Sequence, residues 1–151
     1  MKNYYINIFS ILTVLAGVLF VTINGSSESG NKNKSSSPHP ELKKATFAGG
    51  CFWCMEPPFE KLPGVSKVIS GYTGGKKENP SYKEVATGST NHAEAIEIHY
   101  DSSIISYNNL LEVLWRNIDP TDGGGQFVDR GKQYSPAIFY HNKDQKKRAE
   151  K

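Results

Sequence analysis

The stretch AEAIEIHY, residues 93–100, decides the fold, because apolar and polar side chains alternate along it. Such alternation is the period of a β-strand with one buried face. It places Ile96, Ile98 and Tyr100 on the same face of the strand. By that parity Glu94 shares the apolar face, so we expect a strand that carries a carboxyl group towards the interior.

The segments around this strand predict a small α/β domain. The clearest helix spans 106–118, where apolar residues recur at helical spacing and Ser106 can cap the first turn. Further strands are expected at 45–48, 65–72 and 136–141, and further helices at 52–62, 81–87 and 142–151. The Gly-rich segment 122–132 predicts a loop. The main order β-α-β-β-α-β predicts a ferredoxin-like two-layer sandwich, with a mixed or antiparallel sheet and the helices on one face.

The pair Pro57 and Pro58 leaves the start of the first helix open. Proline disfavours helix for the residue before it, but it suits a first helical turn. Either the helix is kinked at this pair, or its main part starts at Pro57.

The composition fits one ordinary folded domain. The chain has 151 residues, of which 37% are hydrophobic and 22% are charged, and this excludes a disordered or fully membrane-embedded chain. Its 18 basic and 15 acidic side chains give a net charge of only +3, which argues against nucleic acid as the main partner. Cys51 and Cys54 are the only two cysteines, too few for a disulfide scaffold, so they point to chemistry.

The amino-terminal segment has the pattern of a targeting sequence. Lys2 is followed by a mostly apolar run over 4–23, which is near the length that spans a bilayer as a helix. We expect residues 1–23 to be a signal peptide or a signal-anchor in the membrane, with the chain exported to the bacterial cell envelope or periplasm. A buried core helix is the alternative. Residues 24–40, rich in Ser, Asn and Gly, predict a flexible linker, so the folded domain is expected over 41–151.

The sequence GCFWC, residues 50–54, lies where the first strand ends and a helix begins. Backbone N–H groups at a helix start favour a thiolate, and Phe52 and Trp53 could wall an apolar pocket. The C-x-x-C spacing also allows Cys51 and Cys54 to form a disulfide. Two buried, inert thiols are the alternative. No metal site is expected, because there is no second cysteine pair and the four histidines are scattered.

Glu94 is the second candidate for chemistry. A carboxyl group on an apolar face loses hydration, which raises its pKa and lets it donate a proton or a strong hydrogen bond. The alternative is that Glu94 lies at the edge of the strand and reaches water. Asp129 could be a loop residue that caps its own turn, and Tyr82 and Tyr134 could be ordinary half-buried tyrosines.

Several motifs in order resemble one known family. They are GCFWCME (50–56), LPGV (62–65), SGYTGG (70–75), NPSY (79–82), HAEA (92–95), WRNIDPTD (115–122), DRGKQY (129–134) and AIFYHN (137–142). Together they are similar to the peptide methionine sulfoxide reductase A family over about residues 43–150. Each motif alone is weak, but their order and compatible spacing make the resemblance specific.

The resemblance implies a role for each candidate residue. The cysteine at position 51 attacks the sulfoxide sulfur, and Phe52 and Trp53 hold the methionine methyl group. Glu94 protonates or hydrogen-bonds the sulfoxide oxygen. The other site residues implied are two tyrosines that bind the same oxygen and one polar residue that orders the site: Tyr82, Tyr134 and Asp129.

The resemblance also implies the substrate and the reductant. The substrate is the S epimer of methionine sulfoxide, in proteins and as the free amino acid, in the repair of oxidised proteins. No cofactor is implied beyond an external dithiol such as a thioredoxin-like protein, and we expect a monomer. Cys54 is the candidate resolving thiol for a Cys51 sulfenic acid. If strain prevents that disulfide, an external thiol must attack the sulfenic acid directly.

The sequence departs from the family pattern in three places. Asn91 stands where glycine is common, and Ser135 stands where arginine is common. Relatives continue with another strand and a segment that helps to close the site, so we expect the carboxy-terminal part of the catalytic domain to be missing here. Two other functions remain open: a thiol–disulfide oxidoreductase that uses the C-x-x-C pair, and a non-catalytic tethered module that binds oxidised methionine.

Overall fold

The computed structural model describes residues 41–151. The predicted targeting segment 1–23 and the linker 24–40 lie outside the described residues. Within the described part, no helix has the length and apolar character needed to cross a membrane. The elements in chain order are β1 (Lys43–Ala48), α1 (Phe52–Glu60), β2 (Val65–Thr73), α2 (Tyr82–Ala86), β3 (Ala93–Tyr100), α3 (Tyr107–Asn117), β4 (Gly125–Gln126), β5 (Asp129–Arg130), β6 (Ala137–Phe139) and α4 (Lys143–Ala149).

The main sheet has four strands in the order β2-β3-β1-β6, and every neighbouring pair is antiparallel. Since β1 and β2 both run antiparallel to β3, they are parallel to each other, and the chain crosses between them through α1. The same reasoning applies to β3 and β6, which are joined through α3. This order confirms the ferredoxin-like α/β sandwich.

The core lies between the inner face of the sheet and the two crossover helices. Ile96 and Ile98 of β3 are fully buried, as the alternation predicts, and they belong to one cluster with Phe47 of β1 and Phe59 of α1. The Phe47 and Phe59 ring centroids are 5.9 Å apart. The helix α3 completes the cluster with Leu110 and its neighbours. Burial of this apolar face is the main force that holds the two layers together.

Capping residues set the starts of two helices. The Ser106 hydroxyl accepts a hydrogen bond from the Asn109 backbone N–H at 3.2 Å, which confirms Ser106 as the N-cap of α3. At the start of α2, the Ser81 hydroxyl accepts a hydrogen bond from the Glu84 N–H at 3.4 Å. The Glu84 carboxylate in turn accepts one from the Ser81 N–H at 2.9 Å. This reciprocal pair explains why a helix as short as α2 forms at all.

The helix α1 runs without interruption through both prolines, so the interpretation that it starts at Pro57 is wrong. Pro57 and Pro58 lack the N–H groups that would bond to the carbonyls of the first turn. The helix forms nevertheless because Met55 and Phe59 are buried, at 2% and 0% exposure. Tertiary burial thus outweighs the local preference.

The segment 122–132, expected to be a loop, contains a two-stranded hairpin of β4 and β5 followed by a short 3-10 turn over Lys132–Tyr134. The pairs are Gly125 with Arg130 and Gln126 with Asp129. The loop interpretation was wrong because two-residue strands are too short for an alternating pattern to show in the sequence.

Candidate active site

Cys51 is the N-cap residue of α1, one residue beyond the turn that leaves β1. Its carbonyl accepts hydrogen bonds from the N–H groups of Cys54 and Met55, at 3.0 and 3.2 Å. The sulfur therefore belongs to the end of the helix where backbone N–H groups point outward. Cys51 is half-buried and Cys54 is exposed, and both thiols are free. The alternative of two buried, inert thiols is wrong.

The turn before Cys51 requires glycine. Gly50 has φ of +99°, in the left-handed region, and a Cβ atom there would lie 3.0 Å from the Cβ of Gln126. A Cβ atom on Gly49 would lie 2.5 Å from Cγ2 of Ile118. The close packing of this turn fixes the position of Cys51 between the sheet and the β4–β5 hairpin.

Cys54 lies close enough to Cys51 for their thiols to interact. Burial, followed by the charge and hydrogen bond of Cys51 and the charge of Asp129, raises the pKa of the Cys54 thiol. A raised pKa means that the Cys54 thiol keeps its proton to higher pH than a cysteine fully in water does. Cys51 is the N-cap of α1 and Cys54 lies in its first turn, so the two residues are one helical turn apart.

Glu94 is buried beside the start of α1, with 1% of its surface exposed, so the alternative of a water-exposed edge residue is wrong. Its Oε2 accepts a hydrogen bond from the Phe52 backbone N–H at 3.3 Å. Its Oε1 has no hydrogen-bond partner among the described residues. Burial raises the pKa of Glu94, the Phe52 N–H opposes the rise, and the negative charge of Asp129 adds to it. The site therefore holds a carboxyl group that favours its proton and has one oxygen unengaged.

Tyr134 and Asp129 come to the site from the segment that follows α3. Tyr134 ends the 3-10 turn and is half-buried, so the buried environment together with the charges of Glu94, Tyr82, Asp129 and Cys51 raises the pKa of Tyr134. Asp129 opens β5 and pairs with Gln126 through the backbone, so the interpretation that it caps its own loop turn is wrong. Tyr82 opens α2 and is 57% exposed.

The two aromatic residues after Cys51, Phe52 and Trp53, differ in how far they are exposed. The Phe52 and Trp53 ring centroids are 5.8 Å apart at an interplanar angle of 68°. Phe52 packs against the core cluster, whereas Trp53 is 70% exposed. The Phe52 ring is thus held in place by the core, while the Trp53 ring lies at the edge of the site. An apolar group can bind between the two rings.

Tyr72 is a residue of the site that the sequence reasoning missed. It lies directly opposite Glu94 in the register of β2 and β3, so the two side chains share one face of the sheet. Its ring meets the Phe52 ring edge to face, with centroids 6.0 Å apart and planes at 86°. Burial, followed by the charges of Glu94 and Tyr82, raises the pKa of Tyr72. Only the strand register could have signalled this placement.

Two buried glutamines, which the sequence reasoning also missed, hold the segments that carry the site residues. Gln126 is 1% exposed, and its side-chain amide bonds to the Asp119 N–H at 2.7 Å and to the Asp119 carbonyl at 2.8 Å. Gln133 donates from Nε2 to the Ala86 carbonyl at 2.9 Å, so it ties the segment of Tyr134 to the helix of Tyr82. Nothing in the sequence distinguishes these two from surface glutamines.

The structure accommodates both substitutions relative to the family pattern. Asn91 has φ of +56°, which glycine adopts freely and which asparagine tolerates better than most residues. The Ser135 hydroxyl donates to the Gly123 carbonyl at 2.8 Å, so it fastens the 3-10 turn to the loop before the hairpin.

Comparisons with known proteins place this chain in one family of α/β proteins. A family model described as peptide methionine sulfoxide reductase matches residues 43–151. The peptide methionine sulfoxide reductase MsrA of Listeria monocytogenes serotype 4b is 62% identical over 110 residues, which cover 73% of this chain and 62% of the relative. The protein of the same name from Bacillus subtilis is 58% identical over 106 residues, which cover 70% of this chain and 60% of the relative.

Solved structures agree with these sequence relatives. Methionine sulfoxide reductase A of Corynebacterium diphtheriae superposes with a TM-score of 0.71 at 34% identity, covering 75% of this chain and 55% of that chain. The reduced form of Mxr1 from Saccharomyces cerevisiae gives 0.68 at 33% identity, covering 79% and 70%. The chain belongs to the peptide methionine sulfoxide reductase family. It spans 62% of the length of the Listeria relative.

Proposed function

We propose that this chain is an enzyme that reduces the S epimer of methionine sulfoxide in peptides, proteins and the free amino acid, and so repairs oxidised proteins. One observation carries the proposal. Cys51 stands at the start of α1, and the next N–H group, that of Phe52, binds the buried carboxyl group of Glu94 at 3.3 Å. A nucleophile and a proton donor therefore meet at one point. Membership of the peptide methionine sulfoxide reductase family supports the assignment.

The proposed reaction begins with attack of the Cys51 thiolate on the sulfoxide. The oxygen of a sulfoxide leaves its sulfur poorly until it gains a proton, and protonated Glu94 supplies that proton through its unengaged Oε1. The sulfur–oxygen bond breaks, Cys51 takes the oxygen as a sulfenic acid, and the methionine sulfur is reduced to the thioether. The hydroxyl groups of Tyr82 and Tyr134 stabilise the oxygen as charge develops on it. Asp129 orders the site, and its negative charge adds to the effect of burial that raises the pKa of Glu94.

The sulfenic acid must then be reduced. Cys54 attacks the Cys51 sulfur, a disulfide forms and one water molecule leaves. A thioredoxin-like dithiol restores both thiols by exchange and is itself oxidised to a disulfide. The position of Cys54 in the first turn of the helix that Cys51 caps supports Cys54 in this role. The proposed cycle needs no metal, and no group of three metal-ligand side chains occurs within residues 41–151.

The proposed substrate pocket lies between Phe52 and Trp53. The methionine methyl group is apolar, and the two rings offer it an apolar wall. Tyr72 closes the pocket on the side of Phe52.

The test is incubation of the full chain with each epimer of N-acetylmethionine sulfoxide and excess dithiothreitol, followed by chiral analysis of the products. We expect loss of the S epimer alone. Cys51→Ser should abolish turnover, and Cys54→Ser should keep the first turnover while slowing the return to the reduced enzyme. Reduction of sulfoxide by the Cys51→Ser chain would refute the mechanism. Reduction of insulin disulfides with no action on either epimer would favour a thiol–disulfide oxidoreductase, and binding without turnover would favour a non-catalytic module.

We infer from the sequence that residues 1–23 direct export to the bacterial cell envelope or periplasm. We also propose that the domain acts there as a monomer. The apolar run over 4–23 after Lys2 supports this inference. Fusion of these residues to a reporter that is active only after export tests it. An inactive fusion would contradict export, and a dimer in analytical ultracentrifugation would contradict the monomer.

A further inference from the structure

The β4–β5 hairpin ends in two apolar side chains that face solvent. Phe127 is 72% exposed and Val128 is 90% exposed, and we name these two residues the hairpin tip. Phe127 has φ of +52°, a left-handed conformation that is uncommon for an aromatic residue. An apolar pair that is held out in water by its own backbone calls for an explanation beyond packing.

Both ends of the hairpin tip are anchored beside Cys51. On one side, Gln126 packs against Gly50, the residue before Cys51, and is fixed by its hydrogen bonds to Asp119. On the other side, Asp129 is near enough to Glu94 for its charge to affect that carboxyl group. The hairpin tip therefore stands at the rim of the candidate active site.

The surroundings of the hairpin tip favour an apolar partner. The nearest positive charge on the hairpin, Arg130, is already paired with Asp122 through two contacts of 2.5 and 3.0 Å. Trp53, which follows Cys51 by two residues and is 70% exposed, is also apolar. No free charge on the hairpin tip itself would attract an ionic ligand.

We propose that the hairpin tip binds an apolar side chain that neighbours the oxidised methionine in an extended polypeptide. The proposal rests on the proposed function and specifies its substrate class: oxidised segments that expose apolar residues, as unfolded proteins do. When the methionine side chain enters between Phe52 and Trp53, the residues beside it stay outside, about 3 Å further along per residue. We expect one of these flanking side chains to meet the hairpin tip, because Gln126 and Asp129 on either side of the tip lie beside the site.

Kinetics with matched substrates test the proposal. The substrates are N-acetylmethionine S-sulfoxide and two capped peptides with methionine S-sulfoxide between two leucines or between two serines, all with dithiothreitol as reductant. The full chain should prefer the leucine peptide. Replacing both tip residues, Phe127→Ser with Val128→Ser, should lower the kcat/KM ratio of the leucine peptide to the N-acetyl substrate by about fivefold. Ile104→Ser, at a 62% exposed apolar residue beyond the opposite end of β3, is the control and should leave the ratio unchanged.

Three outcomes would overturn the proposal, two in the kinetics and one in a binding measurement. An equal loss on all substrates would show that the hairpin tip only supports the fold, and a loss seen only when thioredoxin replaces dithiothreitol would assign it to the reductant. Polarisation of the fluorescein-labelled leucine peptide with the Cys51→Ser chain measures binding without any turnover. Binding that depends on the hairpin tip, together with failure of the chain with Cys51 intact to reduce either epimer, would refute the proposed function alone. Binding that is the same with and without the tip substitutions would refute this inference alone.

Discussion

Glu94 combines a burial that could be predicted with a hydrogen bond that could not. The alternation over 93–100 predicts its inward direction, and the structure buries it. Its bond to the Phe52 N–H depends on the packing of α1 across β3, which no local pattern encodes. The same limit applies to Tyr72, whose place in the site follows from the pairing of two strands distant in sequence.

Glu94→Gln tests the proton donor. The amide keeps an acceptor for the Phe52 N–H but has no proton of comparable acidity, so kcat/KM should fall by about 10²–10⁴-fold in the sulfoxide assay. Glu97→Gln is the control on the opposite face of the same strand. There burial raises the pKa of Glu97, but hydrogen bonds from Lys44 and His99 lower it overall, so the carboxylate is paired away from the site. Equal activity of Glu94→Gln and the unchanged chain would exclude Glu94 as the donor.

The raised pKa of Glu94 also predicts how stability depends on pH. The folded state binds the Glu94 proton more tightly than the unfolded state, so this contribution is fully present below the ordinary pKa of a glutamate and is lost as pH rises through the folded value. Glu94→Gln should therefore unfold at nearly the same temperature as the unchanged chain at pH 4 and at a higher temperature at pH 8. Thermal unfolding followed by circular dichroism gives the comparison, and a difference that shrinks as pH rises would contradict it.

Tyr72 is expected to hold Phe52 and to shield Glu94 from water. Tyr72→Leu should raise KM, because the edge-to-face contact with Phe52 is lost, and should move the alkaline limb of kcat/KM to lower pH, because Glu94 gains hydration. Tyr72→Phe keeps the ring and should restore both. The measurement is the pH profile of kcat/KM from pH 5 to 9. If the alkaline limb of Tyr72→Leu is unchanged, Tyr72 has only a packing role.

At the scale of elements, the sequence predicts those that are long and periodic and misses those that are short. The helix α3 and the strand β3 were predicted from patterns over eight or more residues, and their bounds agree within one residue of the structure. The sequence pattern did not predict the β4–β5 hairpin, because its pairing depends on Gly125, at φ of +147°, and on the packing of Gln126 against Gly50. These are contacts of the folded state, not preferences of the local chain.

Gly125→Ala should therefore disturb the site through the hairpin. A Cβ atom on Gly125 would lie 2.2 Å from the Asp129 carbonyl oxygen, so the two strands must separate and Asp129 must move. We expect a loss of about 1–3 kcal/mol in the free energy of unfolding, together with a lower kcat/KM. Gly123→Ala is the matched control, because a Cβ atom there would have no neighbour within 4 Å. Denaturant unfolding of the two variants side by side is the measurement, and equal losses would contradict a role for the hairpin.

For the whole described domain, one core joins the sheet to both crossover helices, and it includes a buried tyrosine hydroxyl group. Tyr107 of α3 is 6% exposed, and its ring centroid is 5.9 Å from that of Phe47 in β1. Its hydroxyl oxygen has no hydrogen-bond partner among residues 41–151. Burial, with a smaller contribution from Tyr100, raises the pKa of Tyr107 to about 12. A pattern of apolar spacing places Tyr107 inwards but cannot show whether its hydroxyl finds a partner.

Tyr107→Phe should consequently stabilise the domain. The ring and its contact with Phe47 remain, while an unpaired hydroxyl, whose burial costs about 1–3 kcal/mol, is removed. We expect the melting temperature to rise by about 4–8 °C for each kcal/mol gained, and sulfoxide reduction to continue, since Tyr107 lies outside the candidate active site. Tyr100→Phe is the control: burial raises the pKa of its hydroxyl, but the Gln145 side chain beside it opposes the rise, so this hydroxyl has a polar neighbour and its loss should bring no gain. A melting temperature that falls in Tyr107→Phe would mean that the hydroxyl has a partner in the folded chain and that the core is more polar than its contacts indicate.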